Sequence, residues 1–149
     1  MTVQEDAESR ADIGPDNSLL VLDDDEPFRR RLTRAMERRG FEPQPAESVA
    51  EGLAIVRRHP PAYAVVDLRL EDGNGLDVVE ALRASRPEAK IVVLTGYGAI
   101  ATAVAAVKIG ASDYLAKPAD ADDVEAALLA TSADKPPPRY LSIQLALAA

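Results

Sequence analysis

The chain has 149 residues, 47% of them hydrophobic, a formal net charge of −8 and no cysteine. Its length suffices for one buried core. The acidic balance argues against a nucleic-acid surface, which needs clustered Lys and Arg, and the lack of cysteine excludes disulfides, thiolate metal sites and thiol redox sensing within these residues.

Residues 1–17 are polar and acidic, unlike a signal peptide, and are expected to form a flexible N-terminal tail. No stretch approaches the ~20 apolar residues needed to cross a bilayer, so a cytoplasmic protein without a membrane partner is expected. Ser18 to Leu22 is an apolar run of strand length. A helix follows from about Pro27 to Arg39, with Leu32, Ala35 and Met36 at core spacing, Pro27 in its first turn and Gly40 as its stop. Its basic residues, Arg29 to Arg31, Arg34, Arg38 and Arg39, read as a solvated face. The next strand, near Phe41 to Gln44, is weakened by Pro43 and Pro45, which fits an edge position. Glu47 or Ser48 opens a second helix that runs to His59 and ends at Pro60 and Pro61.

Ala62 to Val66 is apolar throughout, as in a strand buried on both faces. A loop with Asp72, Gly73, Asn74 and Gly75 leads into a helix that continues to about Ser85, before Pro87. Ile91 to Leu94 is a β-branched central strand. Then come a helix over residues 99–108, stopped by Gly110, a short strand from Tyr114 to Ala116 and a helix over 121–130. Strands alternating with helices predict an α/β fold with a doubly wound parallel sheet, five strands long and covered by helices on both faces. The globular domain is expected over 18–131. Pro136 to Pro138 mark residues 132–149 as a Pro-rich linker and C-terminal tail.

In an open α/β sheet, ligands bind beyond the carboxyl ends of the strands, where strand order reverses. There the sequence places Asp23, Asp24 and Asp25 after the first strand, Asp67 after the third, Thr95 after the fourth, and Lys117 with Pro118 after the fifth. Any one of these has an ordinary explanation as a cap, a loop residue or a solvated lysine, and Asp25 is assigned to helix capping. Joint placement favours chemistry. Clustered carboxylates repel unless a hard cation such as Mg²⁺ neutralises them. Asp67 then has the position of a carboxylate nucleophile, with Thr95 and Lys117 available to a phosphoryl group's oxygens.

Over roughly Ser18 to Thr131 these residues resemble the CheY-like receiver domains of bacterial two-component response regulators. The resemblance implies the flavodoxin-like strand order 2-1-3-4-5, with Asp67 as the phosphoacceptor and Asp23 and Asp24 as the acidic pair for Mg²⁺. It implies Thr95 as the switch hydroxyl, Tyr114 as the rotating aromatic and Lys117 as the phosphate-pairing lysine. It further implies Arg69 as a metal ligand through its backbone carbonyl, and a cis peptide between Lys117 and Pro118. Many members carry proline four residues after the phosphoacceptor, where this chain has Glu71; Gly75 falls where glycine is expected. Without the family, Tyr114 reads equally well as an ordinary half-buried aromatic.

The segments RAMERRGFEPQPAESVAEGLA, VVDLRLEDGNGLDVVEALR and VLTGYGAIATAVAAVKIGASDYLAKPADADDVEAALLA resemble, more narrowly, the RegA/PrrA/ActR group. Its members answer a membrane-bound, redox-responsive histidine kinase and control photosynthesis, respiration and related genes. The resemblance implies a sensor histidine kinase as partner, homodimerisation through the face of the fourth helix, fifth strand and fifth helix, and transcription control by the full-length protein. In that group a helix-turn-helix follows the linker. No such motif is read in Tyr140 to Ala149, so DNA contact is expected only through an output domain missing from this chain.

A stand-alone receiver acting by protein contact or as a phosphate sink is the alternative. A phosphohydrolase of the haloacid dehalogenase type would need a second acid where Arg69 stands. A nucleotide or flavin module would need a glycine-rich loop where Asp23 to Glu26 stand.

Overall fold

The computed structural model describes residues 13–96 and 100–130. Five strands alternate with five helices: β1 (Ser18–Leu22), α1 (Glu26–Arg38), β2 (Glu42–Ala46), α2 (Val49–Arg58), β3 (Tyr63–Asp67), α3 (Leu76–Ser85), β4 (Lys90–Thr95), α4 (Ile100–Lys108), β5 (Asp113–Ala116) and α5 (Ala121–Leu129). The strands form one parallel sheet in the order β2-β1-β3-β4-β5. This is the doubly wound α/β architecture that the alternation predicts.

Strand periodicity divides the core in two. Leu20, Leu22, Ala64, Val66, Ile91 and Val93 face one side, where they meet Val56, Val78, Val79, Leu82 and Ala106 from α2, α3 and α4. Leu19, Val21, Val65, Val92 and Leu94 face the other side and meet Leu32, Met36, Val124 and Leu128 from α1 and α5. Each such side chain contributes ~1.5–3 kcal/mol when fully buried. The apolar runs of β1, β3 and β4 are continuous because both faces are covered.

β2 reaches Ala46, two residues beyond the predicted end, despite Pro43 and Pro45. Its place at the sheet edge explains the tolerance, since only its β1 side must supply backbone partners. Between β3 and α3 the predicted loop is a two-rung antiparallel hairpin pairing Arg69 with Asn74 and Leu70 with Gly73. Such short-range pairing has no periodic signal in the sequence.

The basic face of α1 is less solvated than its composition suggests. Arg30 makes an exposed ion pair with Glu26, but Arg39 reaches Asp122 and Glu125 of α5, and Arg29 turns toward the end of β1. The expected linker and tail over 132–149, and the first residue of the predicted fourth helix, Ala99, lie outside the described residues.

The expectation of a flexible tail through residue 17 needs correction at its inner end. Ile13 is buried and its carbonyl accepts a hydrogen bond from the Tyr63 hydroxyl. Tyr63 in turn packs edge-on against Phe41, with ring centroids 5.2 Å apart. The Asn17 side chain donates to the Gly40 carbonyl at 2.9 Å. Asp16 accepts from the Ser18 amide at 3.0 Å and pairs with Arg86 at 2.8 Å. Polar composition concealed this anchoring because the contacts use backbone groups and one isolated apolar residue.

The hydrogen bonds from Ser18, with help from Arg86, lower the Asp16 pKa to about 2. A depressed carboxylate pKa stabilises the fold fully above about pH 5, and less as the pH falls through the unfolded value toward the folded one. Asp16→Asn should therefore destabilise the domain at pH 7 by about 1 kcal/mol, a figure discounted for solvent screening of a carboxylate that is 38% exposed. Urea unfolding of both proteins at pH 7 and pH 3 checks this: the difference shrinks at the lower pH, and equal differences would contradict the assignment.

Candidate functional site

The chain leaves β1 toward β2 on one side and returns to β3 on the other, so the order reverses between β1 and β3. The carboxyl ends of these strands therefore flank the crevice where open α/β sheets hold ligands. Asp23 follows β1 directly, and Asp67 is the last residue of β3. Asp23, Asp67 and Thr95 are the buried polar or charged side chains among the described residues, 1%, 5% and 5% exposed respectively. Asp24 lies beside them and is exposed.

The three aspartates converge: each offers a carboxylate oxygen, and these oxygens lie within 4.8 Å of one another. Two unit charges at that distance repel by ~3 kcal/mol at an effective dielectric constant of ~20. Lys117, at the end of β5, answers part of this repulsion. Its Nζ stands 2.7 Å from Asp23 Oδ2 and 3.2 Å from Asp67 Oδ2, and 5.0 Å above the Phe28 ring. Burial works to lower the Lys117 pKa, but the attraction of the Asp23 and then the Asp67 carboxylate outweighs it, and the net shift is upward. Asp67 is shifted upward by burial first and by the Asp23 charge second, against the pull of the Arg69 amide and Lys117. One ammonium thus pairs with two of the three clustered carboxylates, and negative charge stays in excess.

Local structure fixes each group. Asp23 Oδ1 accepts the Asp25 amide at 2.9 Å, and the Asp23 amide donates to the Ala46 carbonyl at 3.1 Å. Arg29 Nη1 donates to the Asp23 carbonyl at 2.7 Å, a role hidden in the basic run of α1 and detectable only once that helix is placed beside β1. Asp25 caps α1, its side chain accepting from the Phe28 amide at 3.2 Å. Asp67 Oδ1 accepts from the Arg69 amide at 3.2 Å. Asp23 Oδ2 meets the Lys117 ammonium as an ion pair without hydrogen-bond alignment, which leaves a buried acceptor oriented into the cluster. A buried carboxylate oxygen in that condition, beside two further oxygen donors, suits a hard divalent cation.

Gly75 allows the hairpin to close beneath this site. A Cβ there would lie 2.3 Å from the Asp67 carbonyl oxygen and 2.7 Å from Val66 Cγ1, so any side chain would force the backbone apart. Thr95 ends β4, and its carbonyl accepts the Lys117 amide at 2.8 Å. It lines a cleft of about 210 Å³ with Leu68, Arg69, Gly73, Asn74, Gly96 and Thr102. Tyr114 pairs in register with Val93 and is half-buried against the first core layer. The Lys117–Pro118 peptide is cis. Asp23, Asp24, Asp67 and Lys117 thus form one cluster, Thr95 and the Arg69 backbone border it, and Tyr114 sits behind it on β5. Arg69, where a phosphohydrolase of the kind weighed above would carry an acid, is exposed.

Comparison with known proteins agrees with this architecture. A family model for the response regulator receiver domain matches residues 19–129. The photosynthetic apparatus regulatory protein RegA of Rhodovulum sulfidophilum is 72% identical over 132 residues, covering 89% of this chain and 72% of that protein. The acid tolerance regulatory protein ActR of Rhizobium meliloti is 66% identical over 117 residues, covering 78% of this chain and 60% of that protein. A crystal structure of a response regulator from Burkholderia pseudomallei, with a phosphorylated aspartic acid, calcium ion and citrate, superposes with a TM-score of 0.74 at 39% identity, covering 89% of this chain and 75% of that one. With this fold, this acidic pocket and these relatives, the chain belongs to the response regulator receiver domain family, in the RegA/PrrA/ActR group.

Proposed function

We propose that Asp67 is the residue this receiver phosphorylates, with a sensor histidine kinase as donor. The observation that carries the reading is the convergence of Asp67 with Asp23, Asp24 and Lys117 at the sheet's switch point. A carboxylate oxygen of Asp67 attacks the phosphorus, the phosphorus–nitrogen bond of a phosphohistidine breaks, and the imidazole leaves with that electron pair. Lys117 pairs with an oxygen of the transferred group, and the Thr95 hydroxyl donates to another.

Asp24 and Asp67, with Asp23 through water and the Arg69 carbonyl, would hold Mg²⁺. When bound, the ion neutralises charge on the pocket and on the incoming phosphoryl group.

Phosphorylation adds roughly −1.5 to −2 charges and three acceptor oxygens. In our reading Thr95 moves toward them, Tyr114 turns into the space released, and the face of α4, β5 and α5 changes its population of states. That face would serve homodimerisation. Receiver domains of this kind are regulators, and in our reading the switched face would act on transcription through a DNA-binding output domain. The relatives named for photosynthetic apparatus and acid tolerance regulation make energy and stress genes the targets we propose.

Incubation with Mg²⁺ and acetyl phosphate, followed by intact mass, tests the site. Wild type should gain one hydroxylamine-labile phosphoryl group and Asp67→Asn none; equal gain in both would refute Asp67. A second expectation follows from electrostatics. Because the Asp67 pKa is raised, its proton favours the fold below the ordinary carboxylate range, and its ionised form costs stability as the pH rises through the folded value. At pH 7.5 in EDTA, Asp67→Asn should raise the Tm by a few degrees, and Mg²⁺ should raise the wild-type Tm more than the variant's. A lower Tm for the variant in EDTA would contradict the proposed electrostatic strain.

A further inference from the structure

The hairpin between β3 and α3 carries the Arg69 backbone, yet its own pairing is only two rungs long, and its tip, Glu71 and Asp72, is exposed. A ladder that short is marginal by itself. Its tip is tied down from outside. Asp72 Oδ1 accepts the Val49 amide at 2.9 Å, and Asp72 Oδ2 accepts the Ala50 amide at 3.2 Å. These are the first two amides of α2, which no intrahelical carbonyl can satisfy.

The rest of that helix end is closed by its own residues. Ser48 Oγ accepts the Glu51 amide at 3.1 Å, and Glu51 reaches back to the Glu47 amide at 2.8 Å. This reciprocal pairing leaves the first two amides to Asp72, a residue more than twenty positions away in sequence. The bond is strengthened by the helix dipole, whose positive end favours a carboxylate. In keeping with this, hydrogen bonds from Val49 and Ala50 hold the Asp72 pKa below its ordinary value.

α2 is a firm anchor. Val49, Gly52, Ile55 and Val56 are buried, and a Cβ at Gly52 would lie 3.0 Å from Leu22 and 3.2 Å from Val78. At the other end of the hairpin, the Arg69 amide holds Asp67 Oδ1, and the Gly75 amide donates to the Leu68 carbonyl at 3.0 Å. The segment between Asp67 and Gly75 is thereby fixed at both ends, and Asp72 is the outer fixing point.

Resting on the receiver reading above, we infer that Asp72 is a positioning residue for the phosphoacceptor site: by clamping the hairpin tip to the start of α2 it holds the Arg69 backbone and the Asp67 carboxylate in register for the cation. Losing the clamp lets the hairpin sample other positions, so cation affinity falls while the reacting groups stay intact. Supporting groups of this kind change metal affinity by about 10–100-fold when removed; Asp72 acts through the backbone, so the lower end is expected.

The test is calorimetric titration of Mg²⁺ into wild type, Asp72→Ala, Asp72→Asn and Ser48→Ala, with the rate of acetyl phosphate labelling measured across Mg²⁺ concentrations. Asp72→Ala should raise the Mg²⁺ Kd about tenfold and slow labelling at low Mg²⁺, with the rate recovering at saturation. Asp72→Asn, which keeps one capping oxygen for one of the two amides, should show an intermediate Kd. Ser48→Ala removes a cap from the same helix without touching the hairpin; it should lower the Tm and leave the Mg²⁺ Kd unchanged. An unchanged Kd in Asp72→Ala, or an equal change in Ser48→Ala, overturns the clamp while leaving the receiver reading standing. Failure of wild type itself to bind Mg²⁺ or take label overturns both. Should Asp72→Ala prove unfolded by circular dichroism, the Kd of Asp72→Asn decides: it loses one of the two bonds to α2, so a raised Kd supports the clamp and a Kd equal to that of wild type refutes it.

Discussion

The confrontation of buried carboxylates with a single ammonium organises this protein. Asp23 and Asp67 sit at the carboxyl edge of the sheet with almost no access to solvent, and Lys117 reaches both. Burying a charge is tolerated only when it is paired and hydrogen-bonded. The surrounding structure meets that requirement in part, with Asp25 and Arg69 amides on the carboxylates, the Arg29 guanidinium on the Asp23 carbonyl, and Phe28 under the lysine, and leaves Asp23 Oδ2 without a hydrogen bond. What it leaves is an excess of negative charge, which favours a divalent cation and would oppose an anionic phosphoryl group until that cation is bound.

The sheet topology makes this confrontation possible. Parallel strands deliver their carboxyl ends to one edge, and the reversal between β1 and β3 opens a crevice there. Helices from both faces then cover the sheet, so the strands behave as a rigid floor whose apolar residues carry most of the stability. Groups at the strand ends are held accurately, whereas the connecting segments above them are secured by a few hydrogen bonds. Chemistry on the rigid edge and adjustment in the connections is the division of labour expected of a switch built on this fold.

Much of this was legible without coordinates. Continuous apolar runs at β1, β3 and β4 announced strands covered on both faces, and Gly40 and Pro60 marked helix ends through their backbone constraints. Asp23, Asp67, Thr95 and Lys117 could be placed at one edge because each directly follows or ends a strand. Three things were not legible. The anchoring of Ile13, Asp16 and Asn17 leaves no local signal because it uses contacts with Tyr63, Arg86 and Gly40 that are distant in sequence. Arg29 was submerged in a run of like residues. The hairpin from Arg69 to Asn74 is too short to impose a period.

The amino-acid sequence by itself determined the element order, the fold class and which side chains end up at the carboxyl edge, because hydrophobic periodicity and strand-end position are local properties of the chain. Tertiary structure alone decided which of those side chains meet, how strongly they perturb one another, and what holds the connecting loops. Those outcomes depend on distances between residues far apart in sequence, such as Asp67 with Lys117 and Asp72 with the first amides of α2, and on the desolvation that only a completed core imposes.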